Sequence, residues 1–232
     1  IDQIIYEKCG ILRKNVPLVI GNQRKKNINK KIENIAKQID APIVKTNKIN
    51  KNFKLGLEGI HQYENAEVAI TLYKNLFPYY NEKLIKQGLE KTQWMGRLQK
   101  INEGSLIKNR KNVTFIDGSH NFEGSIVIKK FLNKRKFTKW TLIVGMMNNK
   151  NPEIFFDIIK DKIHEVYVIP IQDQKNCFKQ KTLGDILRKL GIRVNYFPSL
   201  EKALKISDPE VPLLVTGSLY LVGEFLKKNK IG

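Results

Sequence analysis

The chain has 232 residues, of which 41% are hydrophobic and 28% are charged. This length suits one large domain or two smaller ones with separate cores, and we expect two. No stretch approaches the roughly 18 apolar residues that a membrane span needs, which excludes a membrane-spanning protein and predicts a soluble one without a membrane partner.

The chain is strongly basic, since 42 Lys and Arg residues against 22 Asp and Glu residues give a formal net charge of +20. Such a charge favours a polyanionic partner such as nucleic acid. The lysines are nevertheless scattered along the whole chain, and the clusters at 22–31 and 131–137 lie at the ends of predicted elements, where solvated charge is common. We therefore expect no nucleic-acid partner, although the charge helps to attract small anions.

The two cysteines, Cys9 and Cys177, belong to no CxxC or metal-ligand spacing. We expect both to be small buried thiols in a protein of the reducing cytoplasm. The chain begins with Ile1, and its first residues read as the end of a helix. We therefore also expect that an N-terminal part of the protein precedes them.

The first predicted elements form a β-α-β unit. The opening helix is expected to stop at Gly10, because glycine tolerates the left-handed conformation that often ends a helix. Strands at 16–21 and 41–44 flank a basic segment with apolar residues at helical spacing, namely Ile28, Ile32, Ile35, Ala36 and Ile39. A parallel pair of strands with a crossover helix is the expected result.

Residues 55–76 predict a longer helix that has Asn65 near its start and an apolar stripe formed by Ala66, Ala69, Ile70, Tyr73 and Leu76. The segment 81–101 reads as a short helix followed by the beginning of a new strand. We place a domain boundary in this segment, which gives one domain at 1–93 and another at 94–232.

From residue 113 onward, apolar strands alternate regularly with amphipathic helices. The predicted strands, each followed by a helix, are 113–116, 140–145, 165–171, 192–197 and 212–217. This alternation indicates a parallel sheet covered on both faces, so the second domain is predicted to be a doubly wound α/β domain. The polar segment 102–112, before the first of these strands, is expected to be a surface hairpin.

Three of these strands end in unusual polar segments. Asp117 to Asn121 follow the first strand, Met146 to Lys150 follow the second, and Thr216 to Ser218 follow the last. Ligands of doubly wound sheets bind beyond the carboxyl ends of the strands. A carboxylate, an imidazole, a lysine and hydroxyls at that edge predict a site for a polar, phosphate-bearing ligand, with glycines that permit close backbone approach.

Each of these residues also has a purely structural interpretation. Asp117 and Ser218 can cap the helices that start just after them. His120 can be a hydrogen-bonded loop histidine, and Lys150 can be a solvated loop lysine. The pattern alone leaves these alternatives open and indicates no more than an α/β domain with an anion site.

Five segments, taken together, are similar to a known family. In chain order they are EKCGI at 7–11, GIHQYENAEVAI at 59–70, WMGRLQ at 94–99, FIDGSHN at 115–121 and LLVTGSLYLVGEFL at 213–226. They resemble the successive blocks of the folylpolyglutamate synthase and dihydrofolate synthase family, within the Mur ligase superfamily.

This resemblance implies a fold and a reaction. Residues 1–93 would be the C-terminal part of a central ATP-binding domain, and residues 94–232 would be the Rossmann-like C-terminal domain. In the implied reaction ATP phosphorylates the carboxylate of dihydropteroate or the γ-carboxylate of a folate, and the amino group of L-glutamate attacks the acyl phosphate. We expect ATP and Mg²⁺ as cofactors and a monomer in the cytoplasm.

The resemblance also implies binding or catalytic roles for five residues of the two domains. Asn65, Arg97 and Asp117 match nucleotide-binding positions, and a forked, permanently charged guanidinium suits the ATP phosphates. His120 matches a catalytic position, and both His120 and Ser218 resemble positions that line the glutamate site.

Lys8 matches a lysine that is carbamylated in this family. Carbamylation replaces a cation with a carboxylate-like group, so the resemblance makes Lys8 a catalytic residue and a metal ligand. Without that modification it would be a solvated lysine at a helix end, where the helix dipole favours a cation.

The chain departs from the family pattern in one major respect. Family members carry a Gly-rich phosphate loop ending in Gly-Lys-Ser, an acidic Mg²⁺ ligand and a histidine ligand upstream of the lysine block, and none of these is within the 232 residues. We therefore expect this chain alone to be inactive. Two alternatives remain: another Mur-type ligase, such as a cell-wall precursor amino-acid ligase, and a non-catalytic module that binds nucleotides or polyanions.

Overall fold

The computed structural model describes residues 1–23, 26–46, 48–49, 53–137 and 139–230. The chain forms two compact units. The first consists of Ile1–Gly56 and Ile60–Gln93, and the second consists of Leu57–Gly59 and Trp94–Gly232. None of the helices within the described ranges has the length and apolarity that crossing a membrane requires.

The first unit contains the parallel β-α-β arrangement that the sequence predicts. Its elements are α1 Asp2–Cys9, β1 Leu18–Ile20, α2 Lys26–Gln38, β2 Ile43–Lys45, α3 His61–Leu76 and α4 Glu82–Lys91. Strands β1 and β2 pair in parallel, with Val19 opposite Val44. Apolar residues of α1 and α2 form a small core around the fully buried Ala36.

The predicted end of the first helix at Gly10 is confirmed, but two local details of the first unit differ from expectation. Gly10 does follow the end of α1, but its φ of −59° is right-handed, because the chain continues in a turn and the Gly10 amide still donates to carbonyls of the helix. The stripe on α3 is buried only in part: Ala66 and Ile70 are buried, whereas Ala69 is exposed, Tyr73 is 42% exposed and Leu76 is 70% exposed. Periodicity shows which residues share a face, and it does not show how far along the helix that face is covered.

The second unit is the doubly wound α/β domain that the alternation predicts. Its elements are β3 Gln99–Ile101, β4 Thr114–Asp117, α5 Phe122–Asn133, β5 Trp140–Val144, α6 Pro152–Ile159, β6 Ile163–Val168, α7 Gln180–Lys189, β7 Val194–Tyr196, α8 Leu200–Ile206, β8 Leu213–Thr216 and α9 Leu219–Lys228. The six strands lie in the order β3-β4-β8-β5-β6-β7.

The sheet of this unit has a hydrophobic core on each face, because successive side chains of a strand point to opposite sides. Phe115 and Leu142 pack on one face with residues of α5, α6 and α7. Their chain neighbours Ile116 and Ile143 pack on the other face with residues of α8 and α9. Each fully buried side chain of this size contributes about 1.5–3 kcal/mol. Burial on both faces explains why these strands are apolar throughout.

Strand β3 and the loop after it differ from the predicted parallel sheet. β3 pairs antiparallel with β4 at one edge of the sheet, as a hairpin connection requires. The loop of this hairpin is not purely a surface feature, since Ile107 is buried and the Arg110 guanidinium donates to the carbonyl oxygens of Asp208 and Val211. Burial lowers the pKa of Arg110 from its ordinary value. The guanidinium therefore ties the hairpin to the segment before β8.

We expect Leu214→Ala to destabilise the second unit by about 2–5 kcal/mol, because the fully buried Leu214 of β8 would leave a cavity in one of the two cores. The matched control is Leu219→Ala, since Leu219 is 59% exposed at the start of α9 and its loss should cost no more than about 0.5 kcal/mol. Chemical denaturation measures both changes. Equal stability losses in the two variants would contradict the assignment of Leu214 to the core.

Candidate functional site

The order of the strands brings the three polar segments of the sequence to one place. β8 lies between β4 and β5, and all three run in parallel. Asp117 at the end of β4 is opposite Thr216 of β8, which is opposite Val144 of β5. The segments that follow these strands are therefore neighbours at the carboxyl edge of the sheet, where doubly wound domains bind ligands. We call this edge the strand-end site.

Asp117 is buried, with 4% of its surface exposed, and both carboxylate oxygens accept backbone hydrogen bonds. Oδ2 accepts from the amide of Leu98 and Oδ1 accepts from the amide of Ser119, each at 2.8 Å. The capping interpretation of Asp117 is wrong, because Asn121 caps α5 by accepting from the amide of Gly124 at 2.9 Å. Asp117 instead joins the turn before β3 to the loop after β4.

The loop after β4 is also tied to the end of β8. The amide of Gly217 donates to the carbonyl oxygen of Ser119 at 3.1 Å, and the Thr216 hydroxyl donates to the same oxygen at 3.4 Å. Gly217 has φ +101°, and a Cβ there would lie 2.7 Å from the carbonyl oxygen of Gly145. Only glycine fits this close approach between the segments after β8 and β5.

Ser218 and His120 have partners within the loops that carry them. Ser218 is buried and caps α9, since its hydroxyl oxygen accepts from the amide of Tyr220 at 3.1 Å, so its capping interpretation is correct. The Nδ1 atom of the half-buried His120 is 3.0 Å from the carbonyl oxygen of Gly118. Nδ1 must carry the proton for this hydrogen bond, and the neutral ring then keeps Nε2 as an acceptor.

Arg97 lies on a turn beside Asp117. Its guanidinium is exposed and lies 5.1 Å from the centroid of the Trp94 ring, a distance at which a cation is attracted to an aromatic face. Trp94 is itself 59% exposed. The second unit thus combines, at one edge, an exposed guanidinium, two capped helix N-termini and a histidine, which suits a ligand with anionic groups.

The two remaining predicted site residues belong to the first unit. Lys8 lies in the last turn of α1 and is exposed, a position that also fits a solvated lysine. Asn65 is exposed on α3, and its Nδ2 atom donates to Oε1 of the buried Gln62 at 2.9 Å. Gln62 thereby fixes the orientation of the Asn65 amide.

Acidic, histidine and cysteine side chains do not cluster as metal ligands among the described residues. No group of three or more His, Cys, Asp or Glu side chains among them is arranged to hold a metal ion. Mg²⁺ needs several oxygen ligands in octahedral geometry, and Lys8 supplies one only when it is carbamylated. We therefore assign no chemical step to a metal.

Sequence reasoning missed the residues that shape the turn around Arg97. Gly96 and Leu98 both have positive φ values, +73° and +44°, and Gln99 accepts a hydrogen bond from the amide of Gly96. The only signal in the sequence is the glycine before the arginine. Lys150 is half-buried in the turn after β5, where its own amide donates to the carbonyl of Met147.

We expect Asp117→Asn to destabilise the protein by about 1–3 kcal/mol, because the amide group offers one acceptor where the carboxylate offers two to the backbone. The amide hydrogen of Leu98 should exchange faster with solvent. The control is Asp185→Asn, an exposed aspartate of α7 paired with Arg188 at the protein surface, which should change stability by less than about 0.5 kcal/mol. Unchanged exchange at Leu98 would show that the Asp117 bond does not hold this turn.

Comparison with known proteins relates the second unit to an enzyme family. The model of the family described as "Dihydrofolate synthetase, C-terminal domain" matches residues 99–228. This range includes Asp117, His120 and Ser218, and it covers more than half of the chain.

Individual relatives match almost the whole chain. It is 24% identical to the folylpolyglutamate synthase of Lacticaseibacillus casei, over 95% of this chain and 56% of that protein. A crystal structure of folylpolyglutamate synthase from Thermotoga maritima superimposes with a TM-score of 0.78 at 26% identity, over 100% of this chain and 59% of that one. Folylpolyglutamate synthase of Mycobacterium tuberculosis, complexed with ADP and AMPPCP, has the same fold, with a TM-score of 0.84 at 18% identity over 99% and 60%. The chain thus spans less than two thirds of the length of these relatives.

Proposed function

The chain belongs to the folylpolyglutamate synthase and dihydrofolate synthase family, and we propose that the protein carrying it is an ATP-dependent ligase of folate metabolism. The ligase joins L-glutamate to dihydropteroate, to the γ-carboxylate of a folate, or to both. The observation that carries this proposal is the match of the family's C-terminal domain to residues 99–228, which contain Asp117, His120 and Ser218 of the strand-end site. The nucleotide complex of the Mycobacterium tuberculosis relative supports ATP as the phosphoryl donor.

The proposed reaction has two balanced steps. The γ-phosphoryl group of ATP moves to an oxygen of the acceptor carboxylate, and ADP leaves. The amino nitrogen of glutamate then attacks the acyl carbon, phosphate leaves, and the nitrogen loses a proton as the amide forms. Both steps demand positioned reactants and positive charge near the phosphoryl groups, which is what protein side chains contribute in phosphoryl transfer. When bound, Mg²⁺ adds to this charge neutralisation.

Three residues are proposed to bind the nucleotide. Arg97 contacts the phosphates, because its guanidinium is exposed and always charged. Asp117 lies at the strand-end site, next to the proposed position of the nucleotide, and its carboxylate holds the backbone around Arg97. Asn65 contacts the nucleotide through the amide that Gln62 orients.

We propose that His120 and Ser218 act on the incoming glutamate, and that Lys8 acts in metal binding. His120 can accept a proton or a hydrogen bond from the glutamate amino group at Nε2, since Nδ1 is engaged by Gly118. Ser218 offers its hydroxyl hydrogen to a glutamate carboxylate while the oxygen still caps α9. Lys8 is proposed to act after carbamylation, as a metal ligand. We further propose a cytoplasmic monomer without a nucleic-acid partner.

We expect Arg97→Ala in the complete gene product to raise the KM for ATP by about tenfold or more, because a charge-assisted hydrogen bond to phosphate is lost. The matched control is Arg188→Ala, since Arg188 also lies over an aromatic ring, that of Tyr196, but on α7. This control should leave the KM for ATP unchanged. Steady-state kinetics measures both values.

A binding titration with duplex DNA separates the ligase from a polyanion-binding module. The ligase should bind DNA weakly, whereas a module would bind it tightly with an affinity that falls steeply with salt. Tight, salt-dependent DNA binding together with an Arg97→Ala variant that keeps its ATP affinity would contradict the proposed function.

We expect the 232-residue chain by itself to release no ADP above background when it is incubated with ATP, Mg²⁺, L-glutamate and a folate. The reason is that no glycine of the sequence is followed by lysine, so the chain has no Gly-Lys-Ser phosphate loop to hold the β- and γ-phosphates. A coupled ADP assay measures the release, with an active folylpolyglutamate synthase as the positive control. Folate-dependent and glutamate-dependent ADP release by the chain would refute this expectation.

A further inference from the structure

The turn that carries Arg97 has an unusual backbone. Gly96 has φ +73° and Leu98 has φ +44°, so the residues on both sides of the arginine are left-handed. Glycine adopts this conformation readily, but leucine does so only when its surroundings impose it. The Leu98 side chain is 2% exposed and packs in the core with Phe115 and Phe131, so it cannot turn outward to relax. Neighbouring groups must therefore hold the turn.

Three hydrogen bonds hold it. The amide of Gly96 donates to Oε1 of Gln99 at 2.9 Å, and the carbonyl oxygen of Gly96 accepts from the amide of Gly118 at 2.8 Å. The amide of Leu98 donates to Asp117. The backbone is thus fixed immediately before and immediately after Arg97, by partners that come from β3 and from the end of β4.

The Gln99 side chain takes no part in the strand pairing of the sheet. β3 pairs with β4 through the backbone, with Gln99 opposite Ile116, and that pairing does not depend on the side-chain amide. The side chain instead reaches back three residues to the turn. Packing leaves the turn little freedom, because a Cβ on Gly96 would lie 2.6 Å from a methyl carbon of Val222 on α9.

We propose that Gln99 is a positioning residue for Arg97, and that Asp117 shares this task through Leu98. The proposal rests on the proposed function, because it takes the phosphate groups of ATP as the ligand of Arg97. An arginine side chain loses much conformational freedom when it binds a phosphate. Binding also orders the backbone that carries the side chain, and a backbone that is already fixed on both sides adds no such cost, so the guanidinium binds more tightly without any new contact to the ligand.

The test is a double-mutant cycle between Gln99 and Arg97 in the complete gene product. Gln99→Met keeps the length of the side chain and removes the acceptor for the Gly96 amide. We expect it to raise the KM for ATP by about fivefold, the effect of one neutral hydrogen bond, and to leave the KM for glutamate unchanged. In the Arg97→Ala background the same substitution should change the KM for ATP by less than about twofold, because Gln99 acts only through the arginine.

Two controls keep the result interpretable. Gln38→Met, at the exposed end of α2, should leave both KM values unchanged. Thermal unfolding checks that each variant is folded. Should Gln99→Met fail to fold, Gln99→Ser, which leaves room for a water molecule at the Gly96 amide, serves for the same cycle.

The outcomes distinguish the two proposals. If Arg97→Ala raises the KM for ATP but Gln99→Met has the same effect in both backgrounds, Gln99 is only structural and the positioning role is overturned. If Arg97→Ala leaves the KM for ATP unchanged, the phosphate role of Arg97 fails, and the positioning role fails with it. An effect of Gln99→Met that disappears without Arg97 supports the positioning role.

Discussion

The strand-end site depends on the carboxylate of Asp117, which joins two segments that are 19 positions apart in the chain. One oxygen fixes the loop that follows β4, and the other holds Leu98 in a conformation that leucine seldom adopts. A backbone of this kind costs on the order of 1–3 kcal/mol, which is similar to the contribution of a hydrogen bond to a charged group. The buried carboxylate therefore stabilises a local shape that the chain would otherwise lose, and that shape presents Arg97.

The position of β8 is the second constraint on this site. β8 is the last strand in the chain, yet it lies between β4 and β5, so its end supplies Gly217 beside the loop at Ser119. Because β8 lies between β4 and β5, the N-termini of α5 and α9 lie at one edge of the sheet. Asn121 caps α5, and Ser218 caps α9. The caps use part of the hydrogen-bonding capacity of the first turns, and the remaining amides and the helix dipoles still favour an anionic ligand.

The sequence predicts the elements of the second unit closely, because each strand is buried on both faces and reads as a continuous apolar run. It also predicts that polar residues at three strand ends share an edge. It does not reveal that Asp117 binds Leu98 or that Asn121 is the cap, since both depend on where a neighbouring segment returns in space. The exposed second half of α3 was missed for the same reason: local periodicity carries no information on which neighbour covers a face.

The net charge of +20 fits the proposed substrates as well as it fits nucleic acid. ATP, glutamate and folates are all anions, so a basic surface raises their local concentration regardless of which one is bound, and it does so less at high salt. The electrostatic field of a basic surface attracts every anion in proportion to its charge, so it does not make the protein selective for any one of them. Selectivity must come from groups held at fixed positions, and under the proposed function the turn beside Asp117 provides one, because it fixes the backbone that carries Arg97. Under that proposal the scattered lysines act at long range, when an anion first approaches the protein, and the turn that carries Arg97 acts at short range, when the phosphate groups bind.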